Sequence, residues 1–367
     1  MIGRLDRYVL RTALTSYFAG LAFIMGMFIL MHALTKLSSY AEKAERNGIG
    51  TFDFLSLFGE FYLYFLPVIF VTVAPFVTVI AGMFAVSRLM GDNEMAPMVF
   101  TGRSTIRILW PILGLAIFSA VAMGAVWEYV VPRTSEPMSI TQGILENRVD
   151  PENPRLTAEN LLVKIRDDGR KVDLLVTSYD HYGQRFEGLK AVDRSDGIAG
   201  ISELTARAAR WSEEEGDWIL EGGSRTRPGP VSRPVDRLGL PSVTPDLLFR
   251  LGKEDRETAQ LGYSELRDLR KLRPKRSDYE IAYHAHITFP LANIVLLLLA
   301  LPFAVNFERG SKIWRVLFAI GICATYLVCD LICQSLGKSL VDPVVAVWVP
   351  PIVFGSFGVA FFGTVPS

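Results

Sequence analysis

Ala13–Leu34 reads ALTSYFAGLAFIMGMFILMHAL, twenty-two residues without a formal charge. A helix needs about 20 mainly apolar residues to cross a bilayer core about 30 Å thick, so this stretch is long enough to span. Five more runs of that kind follow: Phe61–Ser87, Ile108–Val131, Ile287–Phe307, Ile313–Cys333 and Val344–Gly363. Pro67 and Pro75 interrupt the second, and Glu128 is the one acidic residue of the third. Buried core helices are the competing reading, but six such runs leave too little soluble chain to bury them. The hydrophobic residues, 50% of the chain, are clumped in these runs rather than spread.

The first run is too long for a cleavable signal peptide, whose apolar core is about 7–15 residues. Ahead of it, Ile2, Leu5 and Val9 share one helical face and Arg4, Arg7 and Arg11 the opposite one. That pattern suits an interfacial helix with arginines among lipid phosphates; a plain positive flank is the simpler alternative. Arg88, Arg103 and Arg107 lie between the second and third runs, and Arg309, Lys312 and Arg315 around the turn between the fourth and fifth. Even numbers of crossings separate the three basic clusters, so all share one side. The positive-inside rule makes that side, and both termini, cytoplasmic.

The segment 132–277 is then extracytoplasmic, and it reads as β-rich. Leu161–Ile165, Val172–Thr177, Gly188–Val192, Glu203–Trp211 and Trp218–Leu220 are strand-like runs separated by Asp/Gly-rich turns. Many short strands without helical periodicity suggest a sandwich or jelly roll. Helical patterning returns from Ser264 to His286.

Charge excludes some functions. Lys and Arg total 38, as do Asp and Glu, so nothing points to nucleic acid. Cys323, Cys329 and Cys333 all fall in one apolar run and the four histidines are dispersed, which argues against a disulfide framework or a metal site. No phosphate-cradling loop is present: Gly337-Lys338-Ser339 has the right tail, but Ile332 stands where the first glycine is needed. No cofactor is expected, and the chain does not hydrolyse nucleotide by itself. Glu128, Asp330 and His32 are ionisable residues within spans and so candidates for a role. Their places near the outer helix ends favour plain contact with the interface.

The connector between the second and third runs is more informative: Asp92-Asn93-Glu94-Met95-Ala96-Pro97-Met98-Val99-Phe100-Thr101-Gly102-Arg103-Ser104. Asp92 or Asn93 can cap a helix start and Gly102 can end it. A short helix with one acidic residue and an apolar face results, suited to fit a groove on a soluble ATPase. Amphipathic connectors are common, so a solvated helix is the plainer reading.

These residues bring the chain close to a known family. Leu5-Asp6-Arg7-Tyr8, Asn93-Glu94-Met95-Ala96 with Gly102 and Ser104, and Phe289-Pro290-Leu291-Ala292 through Leu299-Ala300-Leu301-Pro302 resemble the LptF/LptG family of lipopolysaccharide export permeases. The order of three spans, a β-domain and three spans matches along the full length. The resemblance implies a polytopic α-helical membrane protein: an interfacial helix over 1–12, spans 1–3 over 13–131 with a coupling helix at about 92–102, an inserted periplasmic jelly-roll-like domain over 132–277, and spans 4–6 over 278–367. It implies a non-enzymatic inner-membrane subunit, paired with a sister permease and two copies of a cytoplasmic ABC ATPase. Lipopolysaccharide would pass to LptC-like and LptA-like bridge proteins. Glu94, Met95, Met98 and Gly102 would couple to the ATPase. Pro97 departs from the family's usual aliphatic residue, which leaves the start of that helix open. The Leu5–Tyr8 and Asp330 regions lean towards LptG.

Lys36, at the outer end of the first span, and Arg133, just past the third, stand where the positive-inside rule would rather have no base, as do Lys43 and Arg46. The family places basic residues at the same helix ends, so the resemblance implies that they hold the phosphates of lipopolysaccharide, with acyl chains on the apolar faces of spans one and five. Snorkelling to ordinary phospholipid is the alternative. Two other classes fit less well: a permease for another lipid or lipoprotein, and an intramembrane lipid-modifying enzyme using Glu128 or Asp330.

Overall fold

A computed structural model of the chain describes residues 3–46, 48–147, 149, 157–167, 170–180, 183–194, 201–226, 232–240, 243–245, 247–248, 260–272, 276–305 and 312–365. Six helices among them are long and apolar enough to cross a membrane. They are α1 (Arg4–Arg46), α2 (Thr51–Gly91), α4 (Thr105–Ala125) continued through a π turn into α5 (Val131–Leu145), α7 (Ser277–Val305), α8 (Lys312–Gly337) and α9 (Pro343–Phe362). The short α3 (Met95–Phe100) connects α2 to α4, and α6 (Tyr263–Leu272) precedes α7. Three apolar helices precede the strands and three follow them.

The helices outrun the apolar segments that announced them. At 1.5 Å per residue, α1 and α2 are each about 60 Å long, about twice the hydrocarbon thickness. Lys36, Lys43 and Arg46, beyond the first apolar run, therefore sit on a helical extension of α1. Aromatic contacts between the two helices explain why that extension stays helical: Tyr40 meets Phe58 and Phe61 edge-on, and His32 Nδ1 lies 2.8 Å from Tyr62 Oη. At the other end α1 begins at Arg4 and runs unbroken from the segment read as an interfacial helix into the first apolar run. The basic cluster at 309–315 lies outside the residues or side chains described.

Valines, leucines and alanines of α1, α2, α4 and α7 form the helical core, which Met95 and Met98 of α3 join. Apolar side chains facing away from it stay exposed, among them Phe23, Met31 and Leu34 of α1. Such a surface belongs in lipid. Inside the bundle, Tyr17, Thr78, Ser119 and Asn293 make one buried polar cluster across four helices. Tyr17 Oη is 2.9 Å from Ser119 Oγ, and Asn293 Oδ1 accepts from Thr78 at 2.8 Å and Ser119 at 3.1 Å. The Asn293 amide nitrogen donates to Pro290 O at 3.0 Å. With no water available, these groups must satisfy one another, so each helix specifies the rotation of the next.

The π turn Val126–Val130 has a local cause. Pro132 carries no N–H for the ladder and crowds the preceding turn, and an inserted residue absorbs that mismatch. The turn aims Glu128 at α6, where its Oε2 accepts from Tyr263 N at 2.6 Å. Glu128 is thus a cap for the orphan donors of α6, which accounts for its position without chemistry.

The strands fall in a unit of their own, Ser139–Glu257, while the start of α5 up to Met138 and all of α6 group with the spanning helices. β1 (Thr157–Asp167), β2 (Arg170–Asp180), β3 (Arg185–Asp193) and β4 (Ser202–Ser212) run as antiparallel neighbours. β5 (Asp217–Glu221) and β6 (Ser224–Thr226) both pair with β4, and β7 (Ser232–Pro234) closes the order. Ala208↔Glu221 and Glu203↔Thr226 keep one register, so β5 and β6 are a single strand kinked at Gly222-Gly223 without slipping. Gly222 takes φ +67, and a Cβ on Gly223 would lie 2.0 Å from Val235 O; only glycine fits there. The described strands thus make one antiparallel sheet. Its alternate residues Leu174, Val176, Phe186, Leu189 and Trp218 build the core of this unit. Trp218 Nε1 donates to Val243 O at 2.6 Å, and Tyr179 Oη to Pro245 O at 3.1 Å, pinning the segment after β7 over that core.

Asn293→Ala removes the acceptor shared by Thr78 and Ser119, and we expect it to cost about 1–2 kcal/mol. Unfolding of the detergent-solubilised protein, followed by circular dichroism during titration with sodium dodecyl sulfate, reads that loss; an unchanged midpoint would leave the cluster without a structural role.

Candidate functional site

The connector is built by a sequence of local constraints. α2 ends at Gly91, the Asp92 N–H still donating to Arg88 O at 2.9 Å. Asn93 then turns the chain with φ +56, a left-handed geometry that asparagine tolerates better than most residues. Neither Asp92 nor Asn93 caps the next helix as expected. The residue before it is Glu94, which is already helical in backbone and makes no side-chain cap. Pro97 falls third in α3, inside the first turn, where backbone N–H groups have no helical partner to lose. That placement answers the question raised by the proline. Gly102 adopts φ +82 and donates to Val99 O at 2.9 Å, closing the helix as a left-handed cap. Ser104 then caps α4 by accepting from Arg107 N at 3.4 Å.

The faces of α3 divide sharply. Met95 and Met98 are buried in the helical core, so they anchor the connector and are not open to a partner. Ala96, Pro97, Thr101 and Gly102 are exposed, and Phe100 is 89% exposed. An aromatic ring so bare at a helix end is the outward feature that reading the sequence passed over.

The structure joins two motifs that lie far apart in the chain. Tyr8 Oη stands 2.8 and 2.7 Å from the two Glu94 carboxylate oxygens and donates to them. The Asp6 carboxylate lies 3.0 Å from Arg103 Nη1 and 3.7 Å from Arg107 Nη2, and also accepts from Gly3 N at 2.9 Å. Asp6 is 8% exposed, whereas both arginine side chains are open to water. It precedes the spanning stretch Ala13–Leu34. The Gly3 N–H first, then the two guanidiniums, hold its carboxyl below the usual carboxylate range, against the opposing effect of burial. Thus the start of α1 grips both ends of the connector. Asp6 and Tyr8 were visible as part of a motif, but their partners, 86 and 97 residues away, leave no local signal.

The outer basic residues do not converge in the same way. Lys36 and Arg133 are exposed, and they and Lys43 make no ion pair among the described residues. Arg46 pairs with Glu42 at 2.6 Å, one helical turn back. Asp330 is buried and accepts from Gln334 at 2.7 Å. Among the described residues no group of histidines, cysteines and carboxylates could hold a metal.

A family model described as lipopolysaccharide export system permease LptF/LptG matches residues 7–363. The chain is also 22% identical, over 369 aligned residues, to the lipopolysaccharide export system permease protein LptG of Haemophilus influenzae; the alignment covers 97% of this chain and 94% of that protein. The family match takes in the six apolar helices, the connector and the sheet, and on that extent the chain belongs to the LptF/LptG family of lipopolysaccharide export system permeases.

Proposed function

We propose that this chain is one of two permease subunits that, driven by two copies of a cytoplasmic ABC ATPase, extract lipopolysaccharide from the inner membrane. The sister subunit is of LptF/LptG type, and both termini and α3 face the cytoplasm. The six spans form a 3+3 arrangement around the inserted sheet unit. That unit is a jelly-roll-like module that hands lipopolysaccharide to LptC-like and LptA-like bridge proteins. The outer edge of β1, which pairs only with β2 among the described strands, supports this, since an open edge can take a further strand.

The observation that carries the proposal is the connector: an exposed Phe100 and a Glu94 carboxylate on a helix that two buried methionines root in the bundle. An element that receives a power stroke has to be bare on one face and immovable on the other. Phe100 fills a groove on the ATPase, and Glu94 meets a basic residue there. Gly102 supplies the cap that ends the helix. Tyr8 keeps the Glu94 carboxylate from swinging away. Phe100→Ala should weaken ATPase docking by about tenfold, the effect of truncating an aromatic anchor. Glu94→Ala lowers complex yield or lipid-stimulated ATP turnover, and Tyr8→Phe gives a smaller loss of the same kind. Wild-type docking and turnover in all three variants would remove α3 from the coupling.

For the substrate, Lys36 and Arg133 engage the phosphates of the lipopolysaccharide head, with Lys43 and Arg46 as outlying contacts on the α1 extension. Support comes from their exposure on the side opposite α3 and from phosphate's affinity for exposed cations. Acyl chains lie along the apolar faces of α1 and α8. A photo-crosslinker at position 36 should capture lipopolysaccharide while one at position 104 does not, and Lys36→Glu with Arg133→Glu should slow release. Equal capture at both positions, or normal export by the double variant, would place the head group elsewhere.

A further inference from the structure

A groove of about 560 Å³ runs between the first half of α1 and the first half of α4. Leu10 and Leu14 of α1 line it together with Trp110, Gly114, Leu115 and Phe118 of α4, and Asp6 and Arg107 stand at one end. That distribution is segregated: charge at the end nearest the connector, apolar surface along the rest. From Arg107 to Phe118 the wall advances eleven residues, about 17 Å at 1.5 Å per residue. That is about half of the hydrocarbon thickness, the depth of one leaflet.

The charged end is cationic on balance. Two guanidiniums, Arg103 and Arg107, face the single carboxylate of Asp6; Arg107 makes the longer contact, 3.7 Å, and its side chain is 57% exposed. Arg7 and Arg11, exposed on α1, make no ion pair among the described residues and share a helical face with Leu14. The space beyond is not taken by the protein itself. Outside its own turn of helix, no atom lies within 4 Å of where a Cβ on Gly114 would sit, and Trp110 and Phe118 are more than half exposed. Spread along the wall's length, about 560 Å³ is a cross-section of about 33 Å², narrower than a helix about 10 Å across. A single hydrocarbon chain is the right width.

We propose that this groove binds one glycerophospholipid of the leaflet on the connector side, with an acyl chain along Leu14, Gly114 and Phe118 and its phosphate on Arg107. The arginine fork suits a phosphate, and the apolar walls replace the chain's neighbours in the bilayer. The site needs only that the chain spans a membrane; it does not rest on the transport cycle. Because Arg107 also touches Asp6, the bound phosphate sits beside the contact that holds the connector.

Native mass spectrometry of the full chain, released from nanodiscs of bacterial phospholipid, tests the site. Wild type and Arg107→Lys should each keep one glycerophospholipid. Gly114→Leu, which puts a side chain into the groove from a position whose Cβ meets no other helix and replaces a poor helix former with a good one, should lower that occupancy about tenfold, as should Arg107→Gln. Circular dichroism confirms that both variants are folded. Unchanged occupancy in both, no retained lipid in wild type, or retention of lipopolysaccharide instead of glycerophospholipid would each overturn the proposal.

Discussion

The Asp6 carboxylate, nearly closed off from solvent between Arg103 and Arg107, is the contact on which the connector half of this bundle depends. Taking a carboxylate out of water is costly unless charge and hydrogen bonds replace the water, and here the Gly3 N–H and two guanidiniums do so. Because the arginines remain in contact with water, screening limits the net stabilisation to about 1 kcal/mol or less. Its geometric effect is larger. It fixes the first turn of α1 against the start of α4, which sets Tyr8 over Glu94 and leaves α3 no freedom to slide. Buried Met95 and Met98 close the same arrangement from the apolar side. A connector held at its carboxylate, its capping end and its apolar face moves with the helices it joins.

Deeper in the bundle the same logic recurs with neutral groups. Tyr17, Thr78, Ser119 and Asn293 join α1, α2, α4 and α7 where no solvent competes. Lipid tails give no hydrophobic drive for helix association, so packing and such hydrogen bonds decide which faces meet. A displacement imposed on the connector therefore reaches α1 and α7 as a rigid shift of faces already keyed together. The π turn at Val126–Val130 marks the outer limit of that block, where Glu128 passes from the span to capping α6.

What was legible in the sequence follows the range of each interaction. Span length and hydropathy are local quantities, and all six apolar helices were readable from them. So were β1 to β5, whose alternation is set by one buried face. Helix ends were not, because Lys36–Arg46 is polar and stays helical through aromatic contacts with α2. β6 and β7 are three residues each and exist through pairing, and Gly222-Gly223, past the last strand-like run, proves to be a kink in one strand. In the connector, Glu94 stood out as a lone charge. Met95 and Met98 looked like part of an outward face, since spacing alone cannot say which side of a six-residue helix is covered. Tyr8, Asp6 and Phe100 carry meaning only once their partners, or the lack of cover, can be seen.

The central claim is that α1 and the connector move as one body, and a covalent lock tests it most directly. With Cys323, Cys329 and Cys333 replaced by alanine and Tyr8 and Glu94 left in place, cysteines at the exposed neighbouring positions 7 and 92 can be joined by a bismaleimide in the membrane. ATP turnover by the complex with the proposed ATPase is then measured with and without lipopolysaccharide. If the contact persists through the cycle, the bridged protein keeps the lipopolysaccharide-stimulated turnover of its unbridged counterpart. Loss of stimulation on bridging, with docking of the ATPase intact, would mean that Tyr8 and Glu94 must separate for transport, and would contradict the account.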